Sequence, residues 1–169
     1  LILTLGNPDQ FIQLSDRRLS SKGKPVDDDS NKAGSFICAN ARLLFGFSGL
    51  AKIGGFKTRQ WMLNALLDCG PPDYTAYNML GRFTERASSD FKTLHRLKNL
   101  SGSEKRLSII FSGYLTSHFP PMGACALISN FQDATTGIDH DEAWDDFKAV
   151  YTSERRPLDE PFTFIQRIG

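Results

Sequence analysis

An acid, two arginines and a lysine lie close together near the start of this chain. The apolar run Phe11 to Leu14 leads into Ser15 and then Asp16, Arg17 and Arg18. After a polar stretch, Lys32 precedes a second apolar run. A carboxylate beside a lysine favours the charged ammonium where burial would neutralise it. Such an ammonium can tune the proton affinity of a nearby nucleophile, since a hydroxyl at neutral pH must lose its proton to a base before it attacks. The plainer alternative is that these residues are solvated charges at strand ends. Exposed ion pairs contribute only about 0–1 kcal/mol, so they need no special purpose. His95, His118 and His140 are scattered without ligand spacing, and "IDHDE" around His140 reads as a solvated polar turn. No metal ligand is assigned.

The bulk properties bound what those groups can serve. The chain has 169 residues, the length of one domain, and is long enough to bury a core. Hydrophobic residues make up 40% and charged residues 23%, as in ordinary globular proteins. A net charge of +1 argues against a general electrostatic grip on nucleic acid or membrane. No apolar run of membrane-spanning length and no basic-then-apolar leader is visible. Cys38, Cys69 and Cys125 are odd in number and unpatterned, so a disulfide framework is not expected and a reducing, cytoplasmic compartment fits best. No P-loop or dinucleotide fingerprint occurs, so no nucleotide or organic cofactor is implied. The chain begins inside "LILTLG" and stops at "FTFIQRIG", so the expectation is a single domain over 1–169, cut at both ends.

The elements that must position the charges follow from periodicity. Leu1 to Leu5 and Phe11 to Ser15 are spaced as a hairpin about the Gly6–Asp9 turn. Ser20 to Asn31 reads as a loop. Ser35 to Cys38 and Arg42 to Phe47 form a strand pair around Asn40. In "TRQWMLNALLDCG", Thr58 is expected to cap a helix with Trp61, Met62, Ala65, Leu66 and Cys69 on one face, stopped by Gly70, Pro71 and Pro72. Thr75 is expected to cap a longer helix with an inward stripe of Leu80, Phe83, Ala87, Phe91 and Leu94. Arg106 to Leu115 and Ala124 to Phe131 return to strand, separated by a Pro-Pro-Met-Gly turn. In the first of these, Leu107, Ile109 and Phe111 alternate with Ser108, Ile110 and Ser112, so one face is more apolar. "AWDDFKAVY" is ambiguous between helix and strand, and "FTFIQRI" is a final strand. Two adjacent helices between strands suit the face of an antiparallel sheet better than single parallel crossovers. Strands apolar on both faces suggest a second stacked sheet.

The segments "LSDRRLSS", "NKAG" and "LLFGFSG" give the region Leu1 to Leu50 a resemblance to the proteasome β-subunit family of N-terminal-nucleophile hydrolases. The resemblance implies an α+β fold, a four-layer αββα sandwich of two antiparallel sheets. It implies Lys32 as the catalytic lysine, Asp16 as the acid that orients it, and Arg18 as a supporting basic residue beneath the site. It implies Gly46 as the glycine whose N–H stabilises the tetrahedral oxyanion. Ser20 is implied to pair its backbone with an extended peptide substrate, and Ser48 and Leu44 to line the specificity pocket. The nucleophile would sit immediately before Leu1, its own α-amine serving as base. Thr4 lies inside the strand and reads as structural. Where the family carries small residues after the glycine strand, this chain has Phe47, Leu50 and "KIGGF".

The resemblance therefore points to a threonine-type peptidase or amidohydrolase acting on a peptide or amide, self-associating as its relatives do in rings, with neither nucleic acid nor membrane as partner. The acid-Arg-Arg segment equally matches inactive relatives. A non-catalytic scaffold or binding subunit, with exposed helix positions such as Trp61 docking on copies of itself, is the second reading. An unrelated α+β binding domain is the third.

Overall fold

The computed structural model describes residues 1–7, 9–16, 19–21, 24–27, 31–70, 73–117, 119, 121–133, 135–154 and 164–168. Its larger sheet is built from β5 (Ala33–Cys38), β6 (Ala41–Gly49), β9 (Leu107–Leu115), β10 (Met122–Ser129) and β11 (Lys148–Glu154), in the order β11-β10-β9-β6-β5. Every neighbouring pair in it is antiparallel. A second sheet has β1 (Ile2–Gly6) between β2 (Phe11–Ser15) and β12 (Phe164–Ile168), again antiparallel. Two hairpins complete the strands, β3 (Leu19–Ser21) with β4 (Lys24–Asp27) and β7 (Lys52–Ile53) with β8 (Phe56–Lys57). The helices are α1 (Thr58–Asp68), α2 (Ala76–Thr93) and the short α3 (His95–Lys98). Among the described residues the fold is thus α+β, with an antiparallel five-stranded sheet, a second sheet and three α-helices. No helix among the described residues is long and apolar enough to cross a membrane.

Alternation along the strands decides which face meets what. Phe36, Leu43, Phe45, Phe47, Leu107, Ile109 and Phe111 turn to one side of the large sheet and join Met62, Leu80, Phe83 and Phe91 of the helices in one core. Residues at the alternate positions, Ile110 on β9 and Cys125 and Leu127 on β10, turn to the other side and meet Ile2 and Ile168 of the small sheet. The small sheet lies over the large one through β1 and β2 against β6, and β12 against β9. Its outward face carries Leu14 (56% exposed), Ile12 and Ile165.

The local chemistry of the helices departs from expectation in three places. Thr75 does cap α2, accepting from the Asn78 N–H at 3.3 Å. Thr58 does not cap α1. It is the first helical residue, fully buried, and its hydroxyl donates to the Leu50 carbonyl at 2.5 Å, so it ties the helix to the end of β6. Trp61 is not a free docking residue. Its Nε1–H donates to Asp90 Oδ2 at 2.8 Å and its ring packs on Phe56, Phe83 and Phe91, because a large ring at a helix–helix seam gains more by burial than by display. Leu94 lies beyond the end of α2 and is part-exposed, since the chain turns there into α3.

The strands differ in two places. The supposed loop from Ser20 to Asn31 contains the β3–β4 hairpin, with a register shift between Leu19 and Ser20. Pro25 and short polar strands masked that pairing in the sequence. The ambiguous "AWDDFKAVY" resolves into a loop through Phe147 followed by strand β11, whose β-branched and aromatic residues pair along β10. Pro71 and Pro72, expected to stop α1, lie outside the described residues; Gly70, at φ +150°, is where the chain leaves the helix.

Candidate functional site

The site forms where β1 begins. The Asp16 N–H donates to the Leu1 carbonyl at 3.0 Å, which extends the β1–β2 ladder by one step and sets Asp16 beside Leu1. Asp16 itself is exposed at the rim. Lys32 is held from two directions. Asn31 Oδ1 accepts from the Ala33 N–H at 2.9 Å, bending the chain into β5, and the Lys32 carbonyl accepts from the Phe47 N–H at 3.1 Å. The Lys32 residue is 7% exposed.

The electrostatics tie these groups together. Burial holds the Lys32 ammonium below its ordinary value, and the Asp16 carboxylate pulls it back up. The backbone nitrogen of Leu1 lies within electrostatic reach of Lys32, Asp16 and Arg167. Asp16, Lys32, Arg167 and the Leu1 nitrogen therefore share one electrostatic neighbourhood at the N-terminal end of β1. Arg167 reaches it because β12 pairs with β1 in a register that sets Arg167 opposite Leu3. Sequence reading missed Arg167, which is distant in the chain and arrives only through sheet closure. It also missed Asn31, although an Asn just before a strand is a recognisable turn signal.

Gly46 sits in mid-strand, between Ala33 on β5 and Ile110 on β9. A Cβ there would meet Gln13 Oε1 at 3.0 Å and Ile2 Cγ2 at 3.1 Å, so the bare Cα lets the small sheet settle close. The Phe47 N–H turns to β5 and the Leu50 N–H to the Arg106 carbonyl on the β9 side. With unbroken register, alternation turns the Gly46 N–H toward β9 as well. The geometry thus makes Gly46 a close-packing glycine whose amide faces the ladder rather than an open cleft.

Leu44 and Ser48 share Gly46's face and are half-buried. Ser48 lies opposite Ser108, whose hydroxyl is 2.7 Å from that of Ser129. Leu44 lies in the row of Ser112 and Cys125, and the Cys125 thiol meets Gln166 Oε1 at 2.8 Å. Gln166 is the partner of Thr4, so the Leu44 row lies toward Thr4 and away from Leu1. Thr4 is fully buried and its hydroxyl accepts from Gln13 Nε2 at 3.3 Å, a structural role. Ser20 belongs to β3 opposite Pro25. Arg17 and Arg18 lie outside the described residues.

Among the described residues, no cluster of His, Cys, Asp or Glu is arranged to hold a metal ion. Comparison of the chain with protein-family models, with curated proteins and with solved structures found no match in any of the three.

Proposed function

We propose that the rim at the start of β1 is the active centre of a proteasome-like N-terminal-nucleophile hydrolase acting on peptide or amide bonds. The observation that carries this reading is the buried Lys32 in the field of the Asp16 carboxylate, with Asp16 set beside Leu1 at the start of β1. In it, a threonine, serine or cysteine joined to Leu1 gives its side-chain proton to its own α-amine and attacks the substrate carbonyl. The leaving amine takes that proton, and water then releases the acyl group. Lys32 lowers the proton affinity of both hydroxyl and amine, and Asp16 keeps Lys32 charged. The outward apolar face of the small sheet supports a four-layer αββα architecture, because a second helical layer there would cover Leu14, Ile12 and Ile165.

Sequencing the N-terminus of the mature protein tests the reading. The expected result is a Thr, Ser or Cys with a free amine directly before Leu1. Any other residue there, or an unprocessed extension, overturns it. In a protein with that nucleophile, Lys32→Ala is expected to abolish turnover of a peptide substrate while the circular dichroism spectrum is unchanged. Full activity in the variant would remove Lys32 from the mechanism.

The Gly46 geometry favours a second reading, a non-catalytic subunit that retains the Asp16–Lys32 pair for its fold. An amide facing the β9 ladder is not poised as an oxyanion donor.

A further inference from the structure

Side-chain size changes along the contact between α2 and the large sheet. Toward one end Trp61, Phe83, Phe91 and Phe147 fill the space with rings. At the other end Ala76 opens the helix and β10 supplies the small residues Ala124, Cys125 and Ala126. The small side chains leave a cavity of about 150 Å³ over Leu43, Phe111 and Leu80. Its exposed lining residues, Tyr77 (68% exposed) and Tyr151, mark the opening, and their ring centroids are 5.0 Å apart.

Among the described residues, no charged residue lines the cavity. An ion entering it would lose its hydration without gaining a partner. A largely apolar cavity of this volume accommodates a benzene-sized guest. Aromatic walls favour a ring in edge-to-face or offset contact. Thr152 and Ser153, both exposed lining residues, allow one polar substituent at the mouth. We infer that this cavity binds a neutral single-ring aromatic molecule of benzene or phenol size. The site is separate from the rim at Leu1 and does not depend on hydrolysis there.

Titration of the protein with phenol and with benzoate, followed by NMR, tests the inference. Phenol is expected to saturate with a Kd on the order of 0.1–1 mM, shifting resonances of Leu80, Tyr77 and Tyr151. Benzoate is expected to bind at least about tenfold more weakly, because its charge must be desolvated. Ala124→Leu is expected to fill the cavity and abolish saturation. Tyr77→Ala removes a wall at an exposed helix position without disturbing the fold and is expected to weaken phenol severalfold. Absence of saturable binding to the wild type would overturn the inference. So would benzoate binding as well as phenol, or unchanged affinity in both folded variants.

Discussion

The two faces of the five-stranded sheet are packed in opposite styles. Toward the helices it meets a continuous core in which Phe36, Phe45, Phe83 and Phe111 touch edge-on or tilted. Toward the small sheet, the buried apolar cluster is Ile2, Ile110, Cys125, Leu127 and Ile168. Around it lie hydroxyls and amides: Thr4 with Gln13, Ser108 with Ser129, and Cys125 with Gln166. Ser15 Oγ and Ser112 Oγ are buried there without a hydrogen-bond partner among the described residues. Apolar burial scales with area removed from water, so the helix side supplies most of the stabilisation. The sheet–sheet side is thin and polar. A buried lysine is tolerable at its rim, where Asp16 and the edge of the molecule limit the cost of desolvation. The candidate site thus lies where the fold is least committed to packing.

The comparison can be broken first at its strong side. Phe83→Ala removes a fully buried ring from the middle of the helix-side core and is expected to cost about 3–5 kcal/mol in urea unfolding. A cost near that of a surface substitution would show that the helix layer does not dominate stability. Gly46→Ala sharpens the contrast from the thin side. The new methyl presses on Ile2 and Gln13, and the expected loss is about 1–3 kcal/mol. Hydrogen exchange should quicken in β1 and β2 more than in β9, and uniform acceleration would mean that the two layers unfold as one.

The smallest effect is expected at Lys32. Its folded-state value lies below the ordinary 10.5, so between those two values the unfolded chain binds more protons than the folded one. Wild-type stability therefore rises with pH across that window and carries the full charge-burial penalty below it. Lys32→Met is expected to be at least as stable as wild type at pH 7, with the advantage shrinking as pH rises toward 10.5. Thermal unfolding across that range reads it directly. A variant distinctly less stable at pH 7 would mean that the ammonium stabilises the fold through Asp16.

Much of the architecture was legible because it rests on short periods. The β1–β2 and β5–β6 hairpins, the Thr75 cap and the α2 stripe through Phe91 follow from turn residues and spacing alone. The β3–β4 hairpin was not legible, because its strands are short and contain Pro25. Trp61 was misplaced because a helical wheel shows which side is apolar, not that a second helix will supply Asp90 to its indole. For the site, the order of residues does not show that Lys32 is buried or that Gly46 packs against Ile2 and Gln13. Whether a glycine in a strand frees an amide or clears space for a neighbour depends on what lies above it.

By itself, the chain determined that β9 would have one greasy face and one serine-bearing face, since alternation is a local property of extended backbone. Only the tertiary structure decided that the serine-bearing face would meet a second sheet, that Arg167 would arrive beside Leu1, and that the amide of residue 46 would turn into a ladder. Those outcomes depend on which strands become neighbours. Pairing partners far apart in sequence are chosen by the burial of whole faces, not by any residue's own preference.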